Sequence, residues 1–253
     1  MRVVPLFARH NAWRTDAPPR GSGLTVPEGL VGGLARARVH EVYAAEVEDA
    51  AAVGGFAMAL VAGLASGPRP VLWLRSRGAA RLGGVLQGEG WRDLGGQPGK
   101  GLVSVLPDTM ALLRAAVEGL RCPALGAVVV EGWGAMRELD LTASRRLSLA
   151  AEKSGVPLLL LRIDAAPVPS AAQTRWQVAA APSVALPGNA PGHPCFDVTL
   201  LRQRSGPSGQ SWRLEWDRDR CQFREVPLSG AVVSVPADRA AASGGSGGGR
   251  QAA

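Results

Sequence analysis

LGAVVVEGWG, from Leu125 to Gly134, sets three consecutive β-branched valines between small residues and closes them with an acidic residue and a Gly-Trp-Gly turn. A continuous apolar run bounded by turn residues is the pattern of a strand buried on both faces, as in a parallel sheet. Glu131 then falls at the strand's C-terminal edge, where open α/β sheets bind ligands. Val71 to Leu74 (VLWL) and Val156 to Ile163 (VPLLLLRI) are two further apolar runs, each separated from the first by segments of helical spacing. Strands alternating with helices predict an α/β fold with a mainly parallel central sheet flanked by helices.

Working outward, Arg38 to Tyr43 (RVHEVY) reads as a short alternating strand, and the segment after it as a helix capped by Asp49 and ended by Gly67-Pro68. Residues 79–89 are helix-compatible, and a Gly-rich loop leads to a strand over Leu102 to Leu106. Pro107-Asp108 opens a helix, DTMALLRAAVEGLR, on which Met110, Leu113, Val117 and Leu120 share one face. A further helix spans about residues 139–153. Beyond Ile163 the helices stop, and alternating segments at Thr174 to Ala180, Phe196 to Arg204, Ser211 to Trp216 and Gln222 to Pro227 predict an antiparallel extension of the sheet. The expected organisation is an irregular Pro/Gly-rich arm over residues 1–37, one domain over 38–236, and a disordered Gly/Ser-rich tail over 237–253.

The chain has 253 residues, 46% of them hydrophobic, enough for a substantial core. Its formal charge of +7 is almost all arginine, since Lys100 and Lys153 are the only lysines. Ala/Gly/Arg richness also follows from a GC-rich coding sequence, so the basic balance points only weakly to nucleic acid. Cys122, Cys195 and Cys221 are widely spaced and form no CxxC pair, which fits a reduced, cytoplasmic compartment. No apolar run approaches the roughly 20 residues that span a bilayer, and the expectation is a protein without a membrane partner.

A parallel βα core ending in antiparallel strands is the layout of RecA-like proteins, and particular residues carry the resemblance. HEVY (His40 to Tyr43) resembles the strand that leads into the RecA phosphate-binding loop, and AVVVEGW stands in the Walker B place. HEVY, VLWL, VPLLLLRI and PSAAQTRWQVAAAPS (Pro169 to Ser183), in that order, resemble the ImuA family over most of residues 38–227. That resemblance implies a non-catalytic accessory factor of damage-induced, error-prone translesion synthesis. Its implied partners are an ImuB-like protein and an error-prone C-family DNA polymerase, with single-stranded DNA or RecA as further candidates. The division inhibitor SulA is similar to the same reduced core, so inhibition of division is another implied role. The runner-up, ahead of division inhibition, is an ATP-dependent, single-strand-binding RecA relative.

A P-loop needs GxxxxGK[ST], because backbone N–H groups cradle the phosphates, lysine neutralises them and a hydroxyl holds magnesium. After Tyr43 the chain instead reads AAEVEDAAAVGG: Ala44 opens the loop, Glu46, Glu48 and Asp49 make it acidic, and no Lys, Ser or Thr follows until Ser66. Each carboxylate beside a triphosphate repels it by roughly 1 kcal/mol or more. Gly99-Lys100 precedes a strand and does not open a helix, so it is no substitute. Glu131 keeps the Walker B position, where it either binds a cation or is merely solvated. ATP and magnesium are therefore unsupported as cofactors, and no metal is expected. His10, His40 and His193 form no ligand or catalytic spacing, which leaves binding as the expected mode of action.

The loop after VPLLLLRI carries DNA in RecA-like proteins, which makes Arg162, Arg175 and Trp176 candidate DNA or partner contacts by resemblance. Arginine grips phosphate and tryptophan stacks on bases. The alternation of TRWQV equally suits a core tryptophan. Trp212, Trp216 and Arg218 in the arginine-dense hairpin form a second candidate surface, with packing of both tryptophans on the sheet as the competing reading.

Overall fold

In a computed structural model, the chain is described over residues 3–5, 37–64, 69–204 and 206–226. The Leu125 to Gly134 stretch forms β5 (Ala127–Trp133), whose first six residues are all buried. VLWL opens β3 (Val71–Ser76), and VPLLLLRI forms β6 (Leu158–Ile163). HEVY lies in β2 (Val39–Ala44), which is buried along five of its six residues and so is a central strand, not the half-exposed one its alternation predicts. Together with β1 (Val3–Pro5), β4 (Gly101–Leu106), β7 (Thr174–Ala180), β8 (Cys195–Gln203), β9 (Ser211–Asp217) and β10 (Gln222–Val226), they form one ten-stranded sheet. Its order is β1-β4-β3-β5-β6-β2-β7-β8-β9-β10. From β4 to β7 every pairing is parallel; from β7 to β10 every pairing is antiparallel, as the loss of helical spacing after Ile163 predicts.

Helices cover both faces of the parallel part. On one side α1 (Ala50–Leu64) buries Phe56 and Leu60 against Trp73, Val129, Leu161, Trp176 and Trp216. α1 carries no charged residue, consistent with burial on most of its circumference. On the other side α4 (Thr109–Leu120) and α5 (Leu141–Ser154) pack on Leu72, Val128, Val130 and Leu160. Asp108 Oδ1 accepts from Ala111 N at 2.8 Å and Asp140 Oδ1 from Ala143 N at 2.7 Å, so each of these helices starts at a side-chain cap. α5 ends at Gly155, whose φ of 81° is the left-handed turn that glycine adopts without strain.

Four local expectations are corrected. The predicted 79–89 helix is two short ones, α2 (Arg77–Leu82) and α3 (Gly88–Asp93), broken by Gly83-Gly84. The buried stripe of α4 is Leu112, Leu113, Ala116, Gly119 and Leu120, leaving Met110 exposed. Asp49 does not cap α1 in the predicted way; its carboxylate serves the turn described below. The arm is not irregular throughout, since β1 pairs antiparallel with β4, with Val4 opposite Val103. The rest of the arm, residues 1–2 and 6–36, and the tail over 237–253 lie outside the described residues. The Gly-rich run before β4 has a packing cause: a Cβ at Gly96 or Gly101 would fall 1.8 or 1.9 Å from the Trp91 ring. No described helix is long and apolar enough to cross a membrane.

Candidate functional site

Two polar clusters lie at the C-terminal edge of the parallel strands, and a third reaches from that edge back to the start of β7. The first lies where a phosphate-binding loop would join β2 to α1. Ala44 ends β2, Ala45 N donates to Val178 O at 3.0 Å, and a single tight turn over Val47–Asp49 enters α1. Asp49 Oδ2 accepts from Glu46 N at 3.1 Å, and Oδ1 accepts from Ala180 N at 2.7 Å. The Asp49 carboxylate thus closes the turn and ties it to β7, and it sets a negative charge beside the start of α1, where an anion would otherwise be favoured. Glu46 and Glu48 are exposed on the same turn and add repulsion to any incoming phosphate.

The second cluster contains Glu131, which is neither solvated nor free for a cation: it is 5% exposed. Its Oε1 accepts from Arg75 Nη2 at 2.6 Å and its Oε2 from Trp73 Nε1 at 3.0 Å. Arg75 also donates to Gly84 O at 2.6 Å and Ala79 O at 3.2 Å. A guanidinium therefore occupies the neighbourhood of the Walker B-like carboxylate. The fit is close, since a Cβ on Gly83 would lie 2.8 Å from Arg75 Nη2. Among the described residues no group of acidic, His and Cys side chains is arranged to hold a metal.

The third cluster joins β2, β6 and β7. Glu41 lies opposite Arg175 in the β2–β7 register, and Tyr43 opposite Arg162 in the β2–β6 register. Arg175 Nε donates to Glu41 Oε2 at 2.8 Å, and its Nη2 holds Ser170 Oγ at 3.1 Å and the Val168 carbonyl. Tyr43 donates its hydroxyl to the same Glu41 Oε2 at 3.3 Å. Both guanidinium carbons lie over the Tyr43 ring, Arg162 at 5.6 Å and Arg175 at 5.7 Å from its centre. Burial, with the Glu41 charge adding to it, pushes the Tyr43 hydroxyl above its ordinary pKa, against the opposing pull of the two arginines.

The candidate contacts separate on this framework. Arg162 and Arg175 come together at one cluster, but Arg175 is engaged internally and Arg162 is buried. Trp176 is fully buried and donates its indole N–H to Thr174 Oγ1 at 2.6 Å; Trp216 is equally buried and donates to Asp93 O at 3.1 Å. Neither presents a ring face to a base. Trp212 is half-buried, 6.1 Å from the Trp176 ring centre. Arg218 is exposed on the β9–β10 turn and lines an open groove of about 350 Å³ with Ala51, Gly55, Asp93, Cys195 and Phe196. Burial raises the Cys195 thiol above its ordinary pKa, which keeps it a poor nucleophile. Sequence reading missed Trp73, Arg75, Glu41 and Tyr43 as partners within these clusters.

The turn that presents Arg218 is closed by Asp217. Burial alone would raise its carboxyl, but hydrogen bonds from Arg220 and from the Asp219 N–H outweigh that and hold it below the usual range. With the folded pKa below the unfolded one, its contribution is complete above the ordinary carboxylate pKa of about 3.9 and is lost as pH falls through the folded value. The stability gap between the wild type and Asp217→Asn should accordingly be measurable at pH 7 in urea and shrink toward pH 3. A gap that is independent of pH would contradict this origin.

No family model matches the chain, and no curated protein is similar to it. Among solved structures, the crystal structure of the RadB recombinase superposes with a TM-score of 0.52 at 16% sequence identity, over 82% of this chain and 99% of that one. At that identity the likeness shows the fold: a RecA-like α/β sheet with antiparallel C-terminal strands and flanking helices.

Proposed function

We propose that this chain is a RecA-like protein that acts by contact rather than by nucleotide hydrolysis, as a non-catalytic accessory factor of error-prone translesion synthesis of the ImuA kind. The observation that carries the non-catalytic part is the Asp49 carboxylate, held by Glu46 N and Ala180 N in the turn between β2 and α1, the place a phosphate-binding loop would take. The buried Arg75–Glu131 pair supports it, because the acidic residue in the Walker B place is already neutralised from within. The translesion role and its partners, an ImuB-like protein and a C-family polymerase, rest on the ordered sequence resemblance, with which the RecA-like fold is consistent. An ATP-dependent single-strand binder would first have to expel Asp49 from the helix start.

Titration calorimetry with magnesium ATP and with a non-hydrolysable analogue tests the first part. The expected result is no heat and no thermal stabilisation at millimolar nucleotide. Micromolar binding would overturn it. Co-purification with an ImuB-like protein from the same genome tests the second part; a chain that retains neither that protein nor the polymerase, yet captures a tubulin-like division protein, would favour the division-inhibitor reading instead.

A further inference from the structure

Arg162 stands at the C-terminal end of β6, is 3% exposed, and has neither its Nε nor its Nη1 hydrogen-bonded, although both atoms are fully buried. Arginine cannot shed its proton in a protein, so this is a buried full charge, and among the described residues its partner is the Tyr43 ring. The nearest carboxylate of the cluster, Glu41, is taken by Arg175 and by the Tyr43 hydroxyl. A buried cation left without hydrogen bonds is costly, and an anion that supplies them relieves the cost.

We propose that Arg162 is the anchor of a carboxylate-binding site, filled by an aspartate or glutamate side chain of a protein partner. Within the buried cluster two arginines face one glutamate, and Asp164, the next acidic residue along the chain, is exposed, so one positive charge has no buried counterpart and one carboxylate would supply it. A phosphate dianion would overshoot that balance and meet Glu41. A planar carboxylate also suits a guanidinium that already lies along an aromatic ring. Residues 164–170, which follow Arg162 directly, are mostly exposed, and Arg175 holds Val168 O and Ser170 Oγ of this segment to the cluster. The source of the carboxylate, a protein, rests on the contact-based reading above; the anion preference of Arg162 does not.

The test uses the full chain at constant ionic strength, with sodium acetate replacing sodium chloride, and sodium phosphate as the comparison. Acetate should raise the melting temperature in proportion to the logarithm of its concentration above the dissociation constant, by roughly 3–6 °C at tenfold excess. It should also move one arginine Nε–H signal downfield in the proton–nitrogen spectrum of the wild type, a signal absent from Arg162→Lys. A capped Ala-Glu-Ala peptide should compete for the same signal. Arg162→Met should be insensitive to acetate; where that variant does not fold, the wild-type spectrum decides alone. A response to phosphate in preference to acetate, or to neither, would overturn the proposal. Binding of magnesium ATP would overturn the non-catalytic reading and leave the acetate result standing, so the two failures are distinguishable.

Discussion

Glu131→Gln is expected to cost about 3–5 kcal/mol of folding stability, because it leaves Arg75 as an uncompensated buried cation. For a chain of this size that is a fall in melting temperature of roughly 6–20 °C. The two side chains are 4% and 6% exposed and 2.6 Å apart, so neither solvent nor salt screens the loss. The amide can still accept from Trp73, which limits the damage on that side but does nothing for the guanidinium. The double replacement Arg75→Met with Glu131→Leu should recover most of the loss, since well-packed apolar residues often equal a buried ion pair. Thermal denaturation of Arg75→Met, Glu131→Leu and the double variant, alongside Glu131→Gln, measures the cycle. Were Glu131 instead a free cation ligand, glutamine would leave stability nearly unchanged and remove any effect of magnesium on the melting temperature.

The pairings explain how far the sequence was legible. Period and breaker residues located nearly every strand to within one or two residues: Thr174 to Ala180 is reproduced as β7, and Leu102 to Leu106 differs from β4 only by Gly101. They also separated the parallel from the antiparallel half, because helical segments either intervene between strands or do not. Strand order was not readable, and the polar clusters depend on it. Arg75 in VLWLRS, Glu131 in VVVEGW, Glu41 in VHEVY and Arg162 in LLLLRI are single charges set in apolar strands. Once β3 lies beside β5, Arg75 is the register partner of Glu131; once β2 lies beside β7, Glu41 is the register partner of Arg175. The signal was therefore present as opposite charges embedded in buried strands. It could be decoded only with the crossing pattern in hand, because the paired residues are 56 and 134 positions apart. The two-helix break at Gly83 has the same origin: the space a side chain would need there is filled by Arg75 and Glu131.

Trp176→Ala is the second substitution with a large expected effect, about 3–5 kcal/mol, the usual cost of emptying a fully buried aromatic site. The alternation of TRWQV allows one of the Arg175–Trp176 pair to face the core. β7 resolves this by packing Trp176 against the α1 side while Arg175 turns to Glu41 on the other face of the sheet. Trp176 also donates to Thr174 Oγ1, which lies 2.7 Å from His40 Nδ1, so its removal loosens a buried polar link between β7 and β2 as well as the hydrophobic layer. Trp212→Ala should cost less, since that ring is half-buried at the edge of the same layer. Urea denaturation of both variants, alongside single-stranded oligonucleotide binding, distinguishes a core role from a base-stacking role. A stacking tryptophan would give up about 1–3 kcal/mol of binding per base with stability intact; for Trp176 the loss should fall on stability. That outcome would leave any nucleic-acid contact in this region to arginines on the surface. Arg218, on its turn beside the α1 groove, is then the first of the sequence candidates to replace.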